Sequence, residues 1–180
     1  MNIFYIHPDP HIAAQQVVDS HCVKMILESA QLLSTAHRLC DGQEYVGKSK
    51  SGRNARRWRL PDNRESVLYS ATHMNHPSSV WARKSSNNYA WLYEHFVGLM
   101  KEYTYRYGKQ HKCELTDIGD MLKSPPSNID SIPFVAPPCA MDDIYKMGND
   151  AVESYRKYYR EGKSHLHKYT KRDMPEWLVT

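Results

Sequence analysis

Apolar and polar positions along most of this chain recur with helical rather than strand-like spacing. Between residues 11 and about 39, apolar side chains return every three or four positions, which predicts helix. Asp19 and Ser20 are both good N-cap residues, so a break and a second helix start are expected there. Residues 1–6 form a short apolar strand or an extended arm in this reading. His7-Pro8-Asp9-Pro10 is a turn, because proline disfavours helix in the residue before it.

The pattern is lost over residues 40–63, a polar stretch carrying Gly42, Gly47, Gly52 and Pro61, which predicts a long basic loop. Trp58 is the expected plug holding that loop to the core. A short helix is expected over 64–74, stopped at Asn75-His76-Pro77. Ser78 or Ser79 then caps a long helix through about Tyr107, with Gly108 ending it. Thr116 caps a short helix through Leu122. Residues 124–140 hold five prolines and form an ordered wrapping arm or a flexible loop. A last long helix is expected over 142–160, and Trp177 docks the basic tail 161–180 onto the body. The fold class that follows is all-α: a compact single helical domain over 1–180, with a short N-terminal strand or arm and long basic and Pro-rich loops.

Composition narrows the setting. No window of about 18 apolar residues exists, so no membrane helix and no membrane partner are expected. The first residues lack the basic start and apolar run of a signal peptide, and the four cysteines form no C-x-x-C pair. Free thiols in a reducing, cytoplasmic compartment are the expectation. Net charge is only +4, but its placement is uneven. One run spans 48–64 and includes Lys48, Lys50, Arg53, Arg56, Arg57, Arg59 and Arg64; a second spans 155–172 and includes Arg156, Lys157 and Arg160. Either could face phosphates, or simply be a solvated surface. Arg53, Arg56, Arg57, Trp58, Arg83, Arg156, Lys157 and Arg160 are the candidate nucleic-acid contacts.

Candidate chemistry concentrates on the first long helix. His21, Lys24, Glu28, Gln31, Thr35 and Arg38 recur at steps of three and four and form one polar stripe on an otherwise apolar helix. The stripe is either a solvent face with a Lys24–Glu28 pair or the lining of a cleft. In a cleft, an acid, an amine and an imidazole are the groups proton transfer and imine formation need. The second constellation is Thr72-His73-Met74-Asn75-His76-Pro77, followed by Trp81 and Arg83. His73 and His76 either point into the same cleft or stabilise the turn. A metal site with His21 or His37 is conceivable, but H-E-x-x-H and paired Cys/His spacings are absent, so no metal ligand is assigned. Phosphate-loop, dinucleotide and nucleophile-elbow motifs are absent too, and no cofactor is expected.

Two resemblances rest on these residues. The run His21-Cys22-Val23-Lys24-Met25-Ile26-Leu27-Glu28, with Ala30 to His37 and Thr72-His73-Met74-Asn75-His76-Pro77, resembles a family of uncharacterised small proteins of large tailed phages over nearly the whole chain. That resemblance implies a phage-infected host cell and no particular chemistry. A second, distant resemblance is to the phage-type pyrimidine-dimer DNA glycosylases, a small all-helical family. His21 matches the family's helix histidine; His76-Pro77 with Trp81, and Lys101-Glu102 with Arg106, Tyr107-Gly108 and His111, resemble its later elements. The family's catalytic Glu and the Arg beside it fall at Val23 and Cys22, and the Asn at position 2 should keep Met1 in place of the family's exposed terminal amine. Glycosylase-like chemistry would then need Lys24 as the amine and Glu28 as the acid. The expected function is a nucleic-acid-acting enzyme of base-excision or base-modifying type, with His21, Lys24, Glu28, His73 and His76 as catalytic candidates. The alternatives are a non-catalytic module binding nucleic acid or a host protein, and an enzyme on a nucleotide or other small molecule with a His-lined site. The oligomeric state is left open by the sequence.

Overall fold

The computed structural model describes residues 1–49 and 51–179. It is mainly helical: α1 (Pro10–Gln16), α2 (Asp19–Asp41), α3 (Arg64–Val67), α4 (Pro77–Lys84), α5 (Ser86–Tyr107), α6 (Ile118–Met121), α7 (Ala151–Lys157) and α8 (Glu176–Val179). An antiparallel hairpin of β1 (Gln43–Lys48) and β2 (Asn54–Arg59) stands between α2 and α3, so the fold is not purely helical. Among the described residues no helix is long and apolar enough to cross a membrane.

The two long helices form the centre. Cys22, Met25, Ile26, Ala30 and Leu33 of α2 pack with Tyr89, Leu92, Phe96 and Leu99 of α5, and α1 and α4 close the sides. Residues 1–6 run extended without a partner strand, and Ile3, Phe4, Tyr5 and Ile6 are buried. Phe4 has φ +55°, a strained conformation for a residue with a side chain, and it stacks on His21 with ring centroids 4.0 Å apart. The break between α1 and α2 lies where the sequence suggested. The cap there is Val18 rather than Asp19 or Ser20, because the Asp19 carboxylate is taken by Arg106 at 2.9 Å and by the Thr170 hydroxyl at 2.7 Å.

The expected loop at 40–63 is largely the hairpin; Lys50, part of that basic run, lies outside the described residues. Its pairing escaped the hydrophobic pattern because few of its cross-strand contacts are apolar. Arg56 holds Glu44 through two bonds of 2.6 and 2.8 Å, and the Arg59 guanidinium sits 5.0 Å from the centre of the Tyr45 ring. Trp58 is the expected plug, buried at the hairpin's root.

Helix α3 stops after Val67, well short of the expected 74. The buried Arg38 guanidinium explains this. It donates to the carbonyls of Leu68 and Tyr69 at 2.8 and 2.6 Å, and to Glu65 and Trp58, drawing the chain out of helix. The helix expected over 78–107 is two helices. Ser85 ends α4, and its hydroxyl accepts the Asn87 N–H at 3.1 Å while donating to the Ile132 carbonyl at 2.5 Å. Residues 124–140 thus form the ordered wrapping arm, also accepting the Ser86 N–H at Asp130 and the Trp81 ring N–H at Val135. Gly108 closes α5 with φ +65°, as the sequence implied. The helix expected over 142–160 is instead a 3₁₀ turn at Asp143–Tyr145, then α7, then a π-helical turn at Tyr158–Gly162. Trp177 docks by donating its ring N–H to Gln16 at 2.9 Å, under the Arg156 guanidinium.

Candidate functional site

The polar stripe of α2 is the bed on which residues 69–76 lie, running antiparallel to the helix. Arg38 holds the Tyr69 carbonyl, Thr35 holds the Thr72 backbone, and Glu28 comes close enough for its charge to act on His76. Arg38 and Thr35 are therefore occupied by protein. Towards the other end Lys24 and Glu28 form an ion pair 3.2 Å long, the Lys24 side chain 68% exposed and that of Glu28 only 16%.

His76 caps α4, as a histidine before proline at a helix start can. Its Nδ1 accepts the Ser78 N–H at 3.2 Å, so the ring proton of the neutral form sits on Nε2. Burial lowers its pKa, as do the Met1 amino group and His73, while Glu28 opposes them. The neutral imidazole is thereby favoured at pH 7, with an N–H to donate. Arg83 fixes this turn by donating to the Met74 carbonyl at 2.8 Å and the Ser79 hydroxyl at 3.2 Å. His73 is exposed, has φ +47°, and bonds the Thr72 hydroxyl at 2.8 Å.

Asn75 and Pro77, the neighbours of His76, line a mainly apolar groove of about 430 Å³. Val80, Trp81 and Lys84 of α4 form one side, and Val135, Ala136 and Pro138 of the arm the other. The volume and the apolar walls with one cation resemble a small-ligand site. Asn88 joins the two walls, donating to the Trp81 carbonyl at 3.0 Å and accepting the Val135 N–H at 3.1 Å. The arm's share of this groove was not legible in the sequence; the tryptophan and the His-Pro step were its only signal.

Other candidates lie elsewhere. His21 is in the core beneath Phe4, with Nδ1 2.5 Å from the Tyr159 hydroxyl, and burial, with Lys163 and Lys24 nearby, pushes its pKa down to about 3. It is a neutral packing residue, apart from Glu28 and His76. Arg156 donates to the Ile6 carbonyl at 3.0 Å, Lys157 to Ile144 at 2.7 Å and Arg160 to Trp177 at 3.1 Å. Arg156 thus braces the N-terminal arm, Arg160 the tail and Lys157 the 3₁₀ turn at Asp143–Tyr145. Arg53, Arg56, Arg57 and Trp58 are together on the hairpin. Lys101 lines a second, smaller hollow, while Glu102 and Arg106 belong to a buried network with Asp19 and Arg172, at 2.7 to 3.0 Å, that ties the tail to α5. Among the described residues no three His, Cys, Asp or Glu side chains converge as a metal site would.

Comparison with protein-family models, curated proteins and solved structures gives no match to this chain.

Proposed function

We propose that this chain is a nucleic-acid-acting enzyme of the base-excision or base-modifying kind, working at the Glu28–His76 end of the α2 stripe. What supports the reading is a mostly buried carboxylate, Glu28, whose charge acts on the imidazole of His76, whose sequence neighbours Asn75 and Pro77 line a groove of about 430 Å³. Chemistry on a base requires it to be extruded and held, at a cost of a few kcal/mol of unstacking. The Trp81-lined groove offers that space. The His76 Nε2–H can donate to an oxygen or nitrogen gaining negative charge, and Glu28 can accept a proton from an attacking group. Lys24 is the available amine, but a nucleophilic lysine is ordinarily held in a desolvated pocket or beside a second cation, and Lys24 stands in solvent. Its better role here is to orient Glu28 or meet a phosphate.

A second reading, a nucleic-acid-binding module without catalysis, draws on that same exposure of Lys24 and on Val23 standing where the resembled family has its acid.

The test is incubation with duplex DNA carrying an abasic site or a thymine dimer, scoring released base by mass spectrometry and covalent product after borohydride. Product that falls at least 100-fold in Glu28→Gln and His76→Ala supports the enzyme. A borohydride adduct lost in Lys24→Ala places the imine there. Salt-sensitive binding without product on any substrate favours the module, and the absence of both binding and product overturns both readings.

A further inference from the structure

Residues 43–59 carry six lysines and arginines against the single acid Glu44, while the whole chain has a net charge of only +4. The rest of the molecule is therefore close to neutral in sum; in its other basic run, at 155–172, Arg156, Lys157 and Arg160 are bonded to backbone carbonyls and Arg172 to Glu102. The hairpin also stands clear of the body. Of its two strands only Trp58 is buried, at the root, and Val46 is 71% exposed. Glu44 is spent on Arg56, and the nearby Glu65 on Arg38. Arg53, Arg57 and Arg59 have no carboxylate partner of their own among the described residues.

We propose that this hairpin is a grip for double-stranded nucleic acid, separate from the groove where chemistry occurs. The inference rests on the nucleic-acid reading above and adds its form: a duplex, held by a ribbon. Two strands about 4.8 Å apart, with their side chains, fit a major groove about 12 Å wide. Arg57 and Arg59, alternate residues on one face of β2, and Arg53 just before the strand then reach phosphates on the groove's rim. A single strand is the poorer occupant. Single-strand grips stack bases on open aromatic faces. Here Trp58 is buried with the Arg56 guanidinium 5.1 Å from its ring centre, and Tyr45, though 40% exposed, has the Arg59 guanidinium on one face.

The two parts are joined through the backbone. The Trp58 carbonyl at the hairpin root is held by Arg38, which also holds the Tyr69 carbonyl at the start of the segment leading to His76. A duplex seated on the ribbon is thereby placed in fixed relation to the groove.

The experiment is equilibrium binding of the full chain to a fluorescent 20-base-pair duplex and to its single strand, across a salt series. The wild type is compared with Arg53→Gln/Arg57→Gln/Arg59→Gln and with the same three positions changed to Lys. Circular dichroism and thermal melting check that each variant is folded. The expected result is duplex binding tighter than single-strand binding. In the Gln variant the log–log salt slope should shrink by about 2.7, for three released counterion contacts at about 0.9 each. The Lys variant should keep the wild-type slope. A folded Gln variant that binds the duplex like the wild type overturns the hairpin's role and leaves the nucleic-acid reading standing. Preference for the single strand overturns the duplex assignment. Failure of the wild type to bind either form overturns the nucleic-acid reading itself, and the grip with it.

Discussion

The Thr35 hydroxyl accepts the Thr72 N–H at 3.1 Å while donating its own proton to the Gln31 carbonyl at 2.7 Å. One hydroxyl thus fixes the middle of residues 69–76 to α2, four positions before His76, whose N–H closes the turn on the His73 carbonyl. Thr35→Val keeps the shape and removes the acceptor, leaving a partly buried N–H without a partner. The expected cost is about 1–3 kcal/mol. Urea denaturation should show it, and Thr35→Ser should recover most of it.

Arg38 is a more demanding case. Its guanidinium is nearly buried and donates to four carbonyls and to Glu65, so no donor of a lysine could reproduce the fork. Arg38→Lys and Arg38→Met should both destabilise the chain, by about 3–5 kcal/mol, the figure typical of breaking a buried charged network. A lysine variant with wild-type denaturation would show that the fork geometry is unimportant.

Gly42 joins α2 to the hairpin, and a Cβ there would run into the Arg38 carbonyl oxygen and stand 3.1 Å from the Trp58 Cβ. Backbone cannot step aside as a side-chain tip can. Gly42→Ala should cost about 1–3 kcal/mol, as overpacking does. It should also move the hairpin root, seen as a changed Trp58 environment by fluorescence in a chain lacking the other tryptophans.

Three histidines are buried in neutral form. Burial lowers the pKa of His21 and His95 to about 3, and burial with the Arg64 charge lowers that of His37 to about 4. In the unfolded chain each titrates near the ordinary value of about 6.5. Below that value the unfolded state takes up protons the folded state refuses. Stability is therefore fully present above pH 6.5 and falls as pH drops towards the folded values, by up to about 1.4 kcal/mol per pH unit for each histidine. His95 is the cleanest probe, since neither ring nitrogen has a partner and the ring stacks on Trp91. Urea midpoints at pH 7, 6 and 5 should fall less steeply in His95→Leu than in the wild type, by about a third of the slope. Parallel slopes would place the acid sensitivity elsewhere.

The sequence by itself determined the features written in local geometry. The α1–α2 break and the Gly108 stop of α5 follow from short-range rules of caps, turns and apolar periodicity, whereas α4 starts at Pro77 with His76 as its cap instead of the expected Ser78 or Ser79. The stripe from His21 to Arg38 was legible too, because spacing alone puts residues on one helix face. What that face meets is decided over distance. His21 and Arg38 fell into the core, Thr35 took a backbone N–H from 37 residues away, and Lys24 and Glu28 paired with each other. The hairpin, the division of the 78–107 helix at Ser85 and the groove wall at Val135 to Pro138 were likewise settled by tertiary structure. Each depends on a partner remote in sequence: a cross-strand charge, or a carbonyl of the proline arm. Local propensity chooses among conformations separated by about 1 kcal/mol per residue, and a buried hydrogen bond or ion pair is large enough to overrule it.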